Sequence, residues 1–314
     1  MSYGCVCETE KMKLTEQTRI VLTGATGLMG RYLATVIGSF ENCYFLGYSN
    51  KLESHNYVSL DLSKQELVLK YFKEIRPELI IHTAALTDVD ENEVKPHKAY
   101  EINVLTTRNI VKWIKEYSSE TKLVYISTDQ VYSGEGEHCE EIVRPSNVYA
   151  LTKLWAESIV QQATDYLILR SSFYAIGKPE RRGFVDWLIL SLNQKKPITL
   201  FNDVFFNPLY IKEFLEILLW LIEHDIGGIY NIGSSGGGIS KAQFAMKLAE
   251  VFQLEYHNAT VGSIESGTLK AFRPKDMRMS VKKIEMIMKK PVPRVREGLE
   301  KLYIDWKSVE CRRD

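Results

Sequence analysis

The chain has 314 residues, 45% of them hydrophobic, and its 40 Lys and Arg balance 40 Asp and Glu. That composition builds a folded core of one large or two closely joined domains, and the absent net charge argues against a nucleic acid or an anionic membrane surface as partner. No apolar run reaches the ~20 residues that span a bilayer. Residues 1–17 read as a polar, flexible tail without the apolar centre of a signal peptide, so a cytoplasmic location is expected. The five cysteines (Cys5, Cys7, Cys43, Cys139, Cys311) are odd in number and form no CxxC pair, which points to free thiols and no metal site.

The first predicted strand, 19–23, runs into Gly24-Ala25-Thr26-Gly27-Leu28-Met29-Gly30, three glycines spaced three apart. Gly24 suits a tight bend, Gly27 lets backbone N–H groups approach a pyrophosphate, and Gly30 lets the next helix pack close to the sheet. That helix carries Leu28, Met29, Leu33, Val36, Ile37 and Phe40 at helical spacing, and its positive end suits an anion. Further apolar strands at 43–48, 57–60, 79–83, 123–127 and 166–170 alternate with amphipathic helical stretches. The pattern predicts an α/β fold whose doubly wound parallel sheet is covered on both faces. Ser63 with Glu66 predicts a capping box for a helix to Ile75, and another helix is expected from Asp90 through Asn103 to Tyr117.

Beyond Gly177 come basic loops and aromatic–cationic mixtures at 200–212 and 271–279. They predict a smaller, interleaved substrate-binding domain formed mainly by 178–225 and 237–314. The nucleotide-binding domain spans 18–177, with 226–236 returning to it. Ser240 and Gln243 predict a capped helix through Phe252. Trp187, Leu188, Ile189 and Leu192 are expected to form one buried helix face.

Chemistry concentrates at Leu123–Tyr132, a strand ending in Ser127-Thr128, and at Asn147–Lys153. Tyr149 and Lys153 are four apart, which on a helix places both on one face. There the ammonium is able to lower the phenol's pKa and hold a nucleotide ribose. Thr128 ends a strand where open α/β sheets bind ligands. Of two other Tyr-x-x-x-Lys pairs, Tyr174/Lys178 encloses Gly177 and abuts Pro179, which reads as loop, and Tyr303/Lys307 lies near the C-terminus with no hydroxyl-bearing strand before it. His82 is read as a packed structural residue.

These residues resemble the extended short-chain dehydrogenase/reductases, and most of all their dTDP-4-dehydrorhamnose reductase group. The matching segments are Thr23–Gly30, Asp61-Leu62, His82–Asp90, Asn103-Val104, Ser127–Tyr132, Asn147–Tyr149 with Thr152-Lys153, and Arg273-Pro274. The resemblance implies a Rossmann-type domain and the reduction of a 4-keto-6-deoxy sugar joined to a nucleoside diphosphate. Tyr149 would donate a proton to the keto oxygen, Thr128 would bind that oxygen, and Lys153 would hold ribose hydroxyls. Asn103 would anchor the active-site helix and a relay water, although a helix-interior amide satisfied by backbone is an equal reading. Asp61 and Leu62 would meet the adenine, and Ala84, Ala85 and Thr87 would line the path to the nicotinamide. Ser127, Ser172 and Phe173 would complete the cofactor site. Thr87, Val89, Asp129 and Gln130 would face the substrate. Arg273 and Arg278 would clamp its diphosphate, or serve only as solvated loop charges.

The second strand ends in Tyr48-Ser49-Asn50-Lys51 where NAD-selective sites place a carboxylate. Ser49, Asn50 and Lys51 therefore favour NADPH over NADH. Tyr32 stands where some members of the group carry a glutamate for a metal-linked homodimer, so that metal-linked form is not expected, while a homodimer of another kind stays open. Two alternatives share the scaffold: an epimerase or dehydratase that keeps its NAD bound, and a non-catalytic regulatory subunit similar to the β subunit of methionine adenosyltransferase.

Overall fold

The computed structural model describes residues 14–47, 56–177, 183–267 and 269–310. The tail before residue 14, Cys5, Cys7, Cys311, Lys178 and the Ser49–Lys51 segment lie outside them.

The apolar runs form, in chain order, β1 (Ile20–Thr23), α1 (Leu28–Ile37), β2 (Cys43–Gly47), β3 (Tyr57–Ser59), α2 (Gln65–Ile75) and β4 (Leu79–His82). Two short helices follow, α3 (Val89–Val94) and α4 (Pro96–Ala99), then α5 (Thr106–Tyr117), β5 (Lys122–Ile126), α6 (Val148–Val160) and β6 (Tyr166–Ser171). The second half adds β7 (Phe173–Tyr174), α7 (Phe184–Asn193), β8 (Ile198–Phe201), β9 (Phe205–Phe206), β10 (Leu209–Tyr210) and α8 (Ile211–Glu223). It ends with β11 (Gly228–Ile232), β12 (Ile239–Ser240), α9 (Lys241–Phe252), β13 (Ala259–Gly262), α10 (Lys282–Met288) and α11 (Val295–Glu310).

Seven strands pair in parallel in the order β11-β6-β5-β4-β1-β2-β3. The order reverses at β1, where the crossovers to β2 and to β4 leave on opposite sides and open a crevice at the strands' C-terminal ends. Alternate side chains divide the core between the two faces. Ile20, Leu22, Leu79, Ile81, Val124 and Leu169 pack with α1, α7, α8 and α9. Val21, Ile80, Leu123, Tyr125 and Ile168 pack with α2, α5 and α6.

Three local expectations change. Ser63 does not cap α2: its N–H and Oγ both donate to Asp61 Oδ1, at 3.0 and 2.7 Å, and Lys64 becomes the N-cap without a side-chain bond. Ser63 is held in this local turn to Asp61, and the helix starts one residue beyond it. The helix expected from Asp90 to Tyr117 breaks at Lys95, which Pro96 holds out of helical geometry. It then opens into a π-helical turn at Tyr100–Leu105 before α5 begins. Trp187 is half exposed and stacks on Phe184, leaving Leu188, Ile189 and Leu192 as the buried face of α7. The capping box of α9 forms as written, with Gln243 N donating to Ser240 Oγ at 3.1 Å and Ser240 N to Gln243 Oε1 at 2.9 Å.

Candidate active site

Two cavities of about 530 and 390 Å³ lie along the C-terminal edge of the sheet. They share Gly27, Thr83 and Ala85 and so make one groove over the start of α1. Gly24 turns there with φ +68°, and a Cβ on Gly30 would stand 2.2 Å from the Gly24 carbonyl oxygen, so only glycine lets α1 begin this close. Gly27 caps α1 without a side-chain bond, and no acidic residue occupies the first turn. Those free N–H groups and the helix dipole favour an anion such as a pyrophosphate.

The groove collects most of the residues singled out by sequence. One end is lined by Gly24, Thr26, Asp61, Leu62 and Ala84. The other is lined by Leu28, Met29, Thr87, Val89, Ser127, Thr128, Asp129 and Gln130, together with Tyr149, Lys153, Ser172 and Phe173. Ala85 belongs to both ends. Ser49, Asn50 and Lys51 lie outside the described residues. Arg273 and Arg278 do not line the groove. Arg273 donates to Asp90 at 2.9 Å and Arg278 Nε to Asp276 at 2.8 Å, so each guanidinium is already turned to a carboxylate.

Asn147 starts α6, its Oδ1 accepting from Ala150 N at 2.8 Å, and this cap sets the rotation that points Tyr149 and Lys153 at the groove. Burial pushes the Tyr149 phenol up to about 12, against a hydrogen bond with Thr128 that lowers it. The ammonium of Lys153 donates to the Ile126 carbonyl at 2.8 Å and lies 4.1 Å from the centroid of Tyr125. Burial brings it down to about 7, with Glu157 pulling the other way. The expected depression of the Tyr149 pKa by Lys153 is therefore not found. Desolvation of the phenol wins because the ammonium faces Ile126 and Tyr125.

Asn103 sits in the π-helical turn and links three segments. Its Oδ1 accepts from Leu86 N at 2.8 Å, and its Nδ2 donates to Asn92 Oδ1 and to Thr152 Oγ1, each at 3.0 Å. It satisfies backbone at Leu86 and also ties α3 and α6 together beside the groove. His82 is fully buried between Thr23 Oγ1 at 2.6 Å and Thr107 Oγ1 at 3.0 Å. Burial lowers it to about 3, so it is a neutral tie between β4, β1 and α5.

Sequence reasoning missed Lys241. Its Nζ stands 3.4 Å from the ring centroid of Phe206 and 4.7 Å from that of Phe184, and burial lowers it to about 8 while Asp129 raises it. Asp129 is itself pushed up to about 6 by burial, opposed by Lys241 and by hydrogen bonds from Ser172 and Thr128. A lysine at the first position of a helix, where a positive charge is unfavourable, was the one available signal. Behind Ser127 and Thr128, the buried Glu157 carboxylate accepts from Ser127 Oγ and from Arg170 Nη2, the latter at 2.7 Å.

The family described as the RmlD substrate binding domain matches residues 18–307. The chain belongs to this family. It is 27% identical over 301 residues to the spore coat polysaccharide biosynthesis protein SpsK of Bacillus subtilis, covering 94% of this chain and 99% of that one. It is 25% identical over 307 residues to methionine adenosyltransferase 2 subunit beta of Rattus norvegicus, covering 90% and 86%. Among solved structures, the dTDP-4-dehydrorhamnose reductase of Bacillus anthracis in complex with NADP superposes with a TM-score of 0.82 at 27% identity. That match covers 94% of this chain and 100% of the other. The fold is accordingly Rossmann-type. Among the described residues no helix is long and apolar enough to cross a membrane, and no cluster of His, Cys, Asp and Glu suits a metal ion.

Proposed function

We propose that this RmlD-family protein is an NADPH-dependent oxidoreductase that reduces the 4-keto group of a nucleotide-diphosphate-linked 4-keto-6-deoxy sugar in the cytoplasm. One observation carries this reading. Tyr149, Thr128 and Lys153 stand together at one end of a groove that continues across the N-terminus of α1 to an adenosine-sized cavity.

The donor set suits the cofactor along its length: bare helix N–H groups for the pyrophosphate, Asp61 and Leu62 for the adenine, and Ala85 and Thr87 on the way to the reacting end. When bound, NADPH supplies the hydride. Tyr149 gives its phenolic proton to the keto oxygen, and a pKa of about 12 keeps it protonated, as a reduction requires, at neutral pH. Thr128 exchanges its hydrogen bond with Tyr149 for one to the same oxygen. Lys153 would hold the cofactor's ribose hydroxyls, and a positive charge there would favour proton release from Tyr149 in the transition state. Val89, Asp129 and Gln130 line the sugar end, and 178–225 with 237–314 would form most of the substrate domain.

The likeness to a methionine adenosyltransferase β subunit supports a second reading, that of a partner-binding subunit. Absorbance of the reduced nicotinamide band with a panel of nucleotide-linked 4-keto-6-deoxy sugars separates the two. Stoichiometric NADPH oxidation with one sugar is expected, and silence across the panel with NADPH bound favours the subunit.

A further inference from the structure

Thr128 has one proton to give, and a neighbouring carboxylate already holds it. Its Oγ1 donates to Asp129 Oδ1 at 3.2 Å and accepts from Gln130 N at 3.2 Å. A hydroxyl has one donor and two acceptor sites, so a single lone pair remains, and Tyr149 is its neighbour. Thr128, Asp129, Gln130 and Tyr149 all line the reacting end of the groove. Asp129 is only 6% exposed there.

This arrangement conflicts with the task of Thr128 in the reduction. Binding the keto oxygen needs a donor, and a hydrogen bond to an ionised carboxylate is roughly twice as strong as one to a neutral carbonyl. Thr128 therefore keeps its proton on Asp129 while that carboxylate is charged. Protonation of Asp129 reverses the direction: the carboxyl O–H donates to Thr128 Oγ1, and the threonine proton is released towards the keto oxygen. The proton on Asp129 is not consumed, because Tyr149 supplies the one that ends on the product alcohol. We propose that Asp129 is a positioning residue that sets the donor direction of Thr128, and that its neutral carboxyl form is the one that serves the reduction. This rests on the reductase reading above and adds a group that acts through Thr128.

The surroundings bring that form within reach of neutral pH. Burial pushes Asp129 up to about 6, opposed by Lys241 from α9 and by hydrogen bonds from Ser172 and Thr128. Since the serving form is the protonated one, its contribution is full well below about 6 and is lost as pH rises above it. Tyr149, facing Asp129 from α6, keeps its proton up to about 12, and Lys241 keeps its charge up to about 8. Lys153 titrates near 7 and acts on wild type and on Asp129 variants alike.

The test records kcat/KM for a nucleotide-linked 4-keto-6-deoxy sugar, with NADPH saturating, from about pH 5.5 to 7.5 in wild type, Asp129→Asn and Lys241→Met. Over that interval wild type is expected to lose about 10- to 30-fold more of its kcat/KM than Asp129→Asn, whose amide donates to Thr128 at every pH. Lys241→Met removes the cation that keeps Asp129 ionised, so its fall is expected to begin at higher pH than in wild type. Titration with NADPH, followed by nicotinamide fluorescence, shows that each variant is folded. Equal pH dependence in wild type and Asp129→Asn, or loss of turnover in Asp129→Asn with NADPH still bound, overturns the assignment and leaves the reductase reading standing. If Asp129→Asn does not fold, Lys241→Met decides, and a fall at the wild-type pH overturns the assignment. Absence of turnover by wild type with every such sugar overturns both.

Discussion

Tyr149→Phe is expected to lower kcat by about 10²- to 10⁴-fold, the usual contribution of one positioned general acid. The ring is buried in α6 and Phe preserves its packing, so the variant loses only the hydroxyl. With burial holding the phenol near 12, Tyr149 carries its proton throughout the neutral range. Cofactor titration run beside the steady-state rates separates loss of chemistry from loss of binding. A variant that binds NADPH normally and turns over at the wild-type rate removes Tyr149 from the mechanism.

The second large effect falls on stability. Glu157 and Arg170 are almost wholly enclosed, with side chains 0% and 3% exposed. Arg170 reaches Glu157 through Nε and Nη2 and also donates Nη1 to Tyr132 Oη at 2.8 Å and to the Glu140 carbonyl at 2.7 Å. Arg170→Met strands the carboxylate behind Ser127 and is expected to cost about 3–5 kcal/mol. Arg170→Met combined with Glu157→Leu should recover much of that loss, because it removes the stranded charge as well. Urea unfolding measures both. A single-variant loss below about 1 kcal/mol would mean that the pair is not the support for this strand end that its enclosure implies.

Legibility in the sequence followed the range of the interactions. Strands β1 to β6 were readable because each is a short apolar run between polar or helical stretches, and the turn from Gly24 to Gly30 because glycine alone tolerates its contacts. The meeting of Thr128, Tyr149 and Lys153 in one groove was readable from local order: a strand end, then a helix with a four-residue spacing. What was not readable depends on neighbours distant in sequence. The π-helical turn that presents Asn103 to Leu86, Asn92 and Thr152 leaves no periodic mark. Lys241 meets Asp129 only through the packing of α9 against the end of the sheet, and Arg31 finds Thr26 by folding back across the glycine loop. Ser63 shows the opposite limit: its capping pattern was present, but Ser63 turns to Asp61 and Lys64 stands at the N-cap of α2. The cations at Arg273 and Arg278 looked like a clamp because sequence shows charges without showing Asp90 and Asp276 beside them.

The most direct measurement follows an isotope. The protein would be given NADPH carrying deuterium at the transferring position of nicotinamide C4 together with a nucleotide-linked 4-keto-6-deoxy sugar, and the sugar product read by mass spectrometry and NMR. The account predicts one deuterium on the sugar's C4 carbon and one oxidised dinucleotide for each sugar reduced. A rearranged sugar without label and without net loss of NADPH, or no product while both ligands are bound, would contradict it.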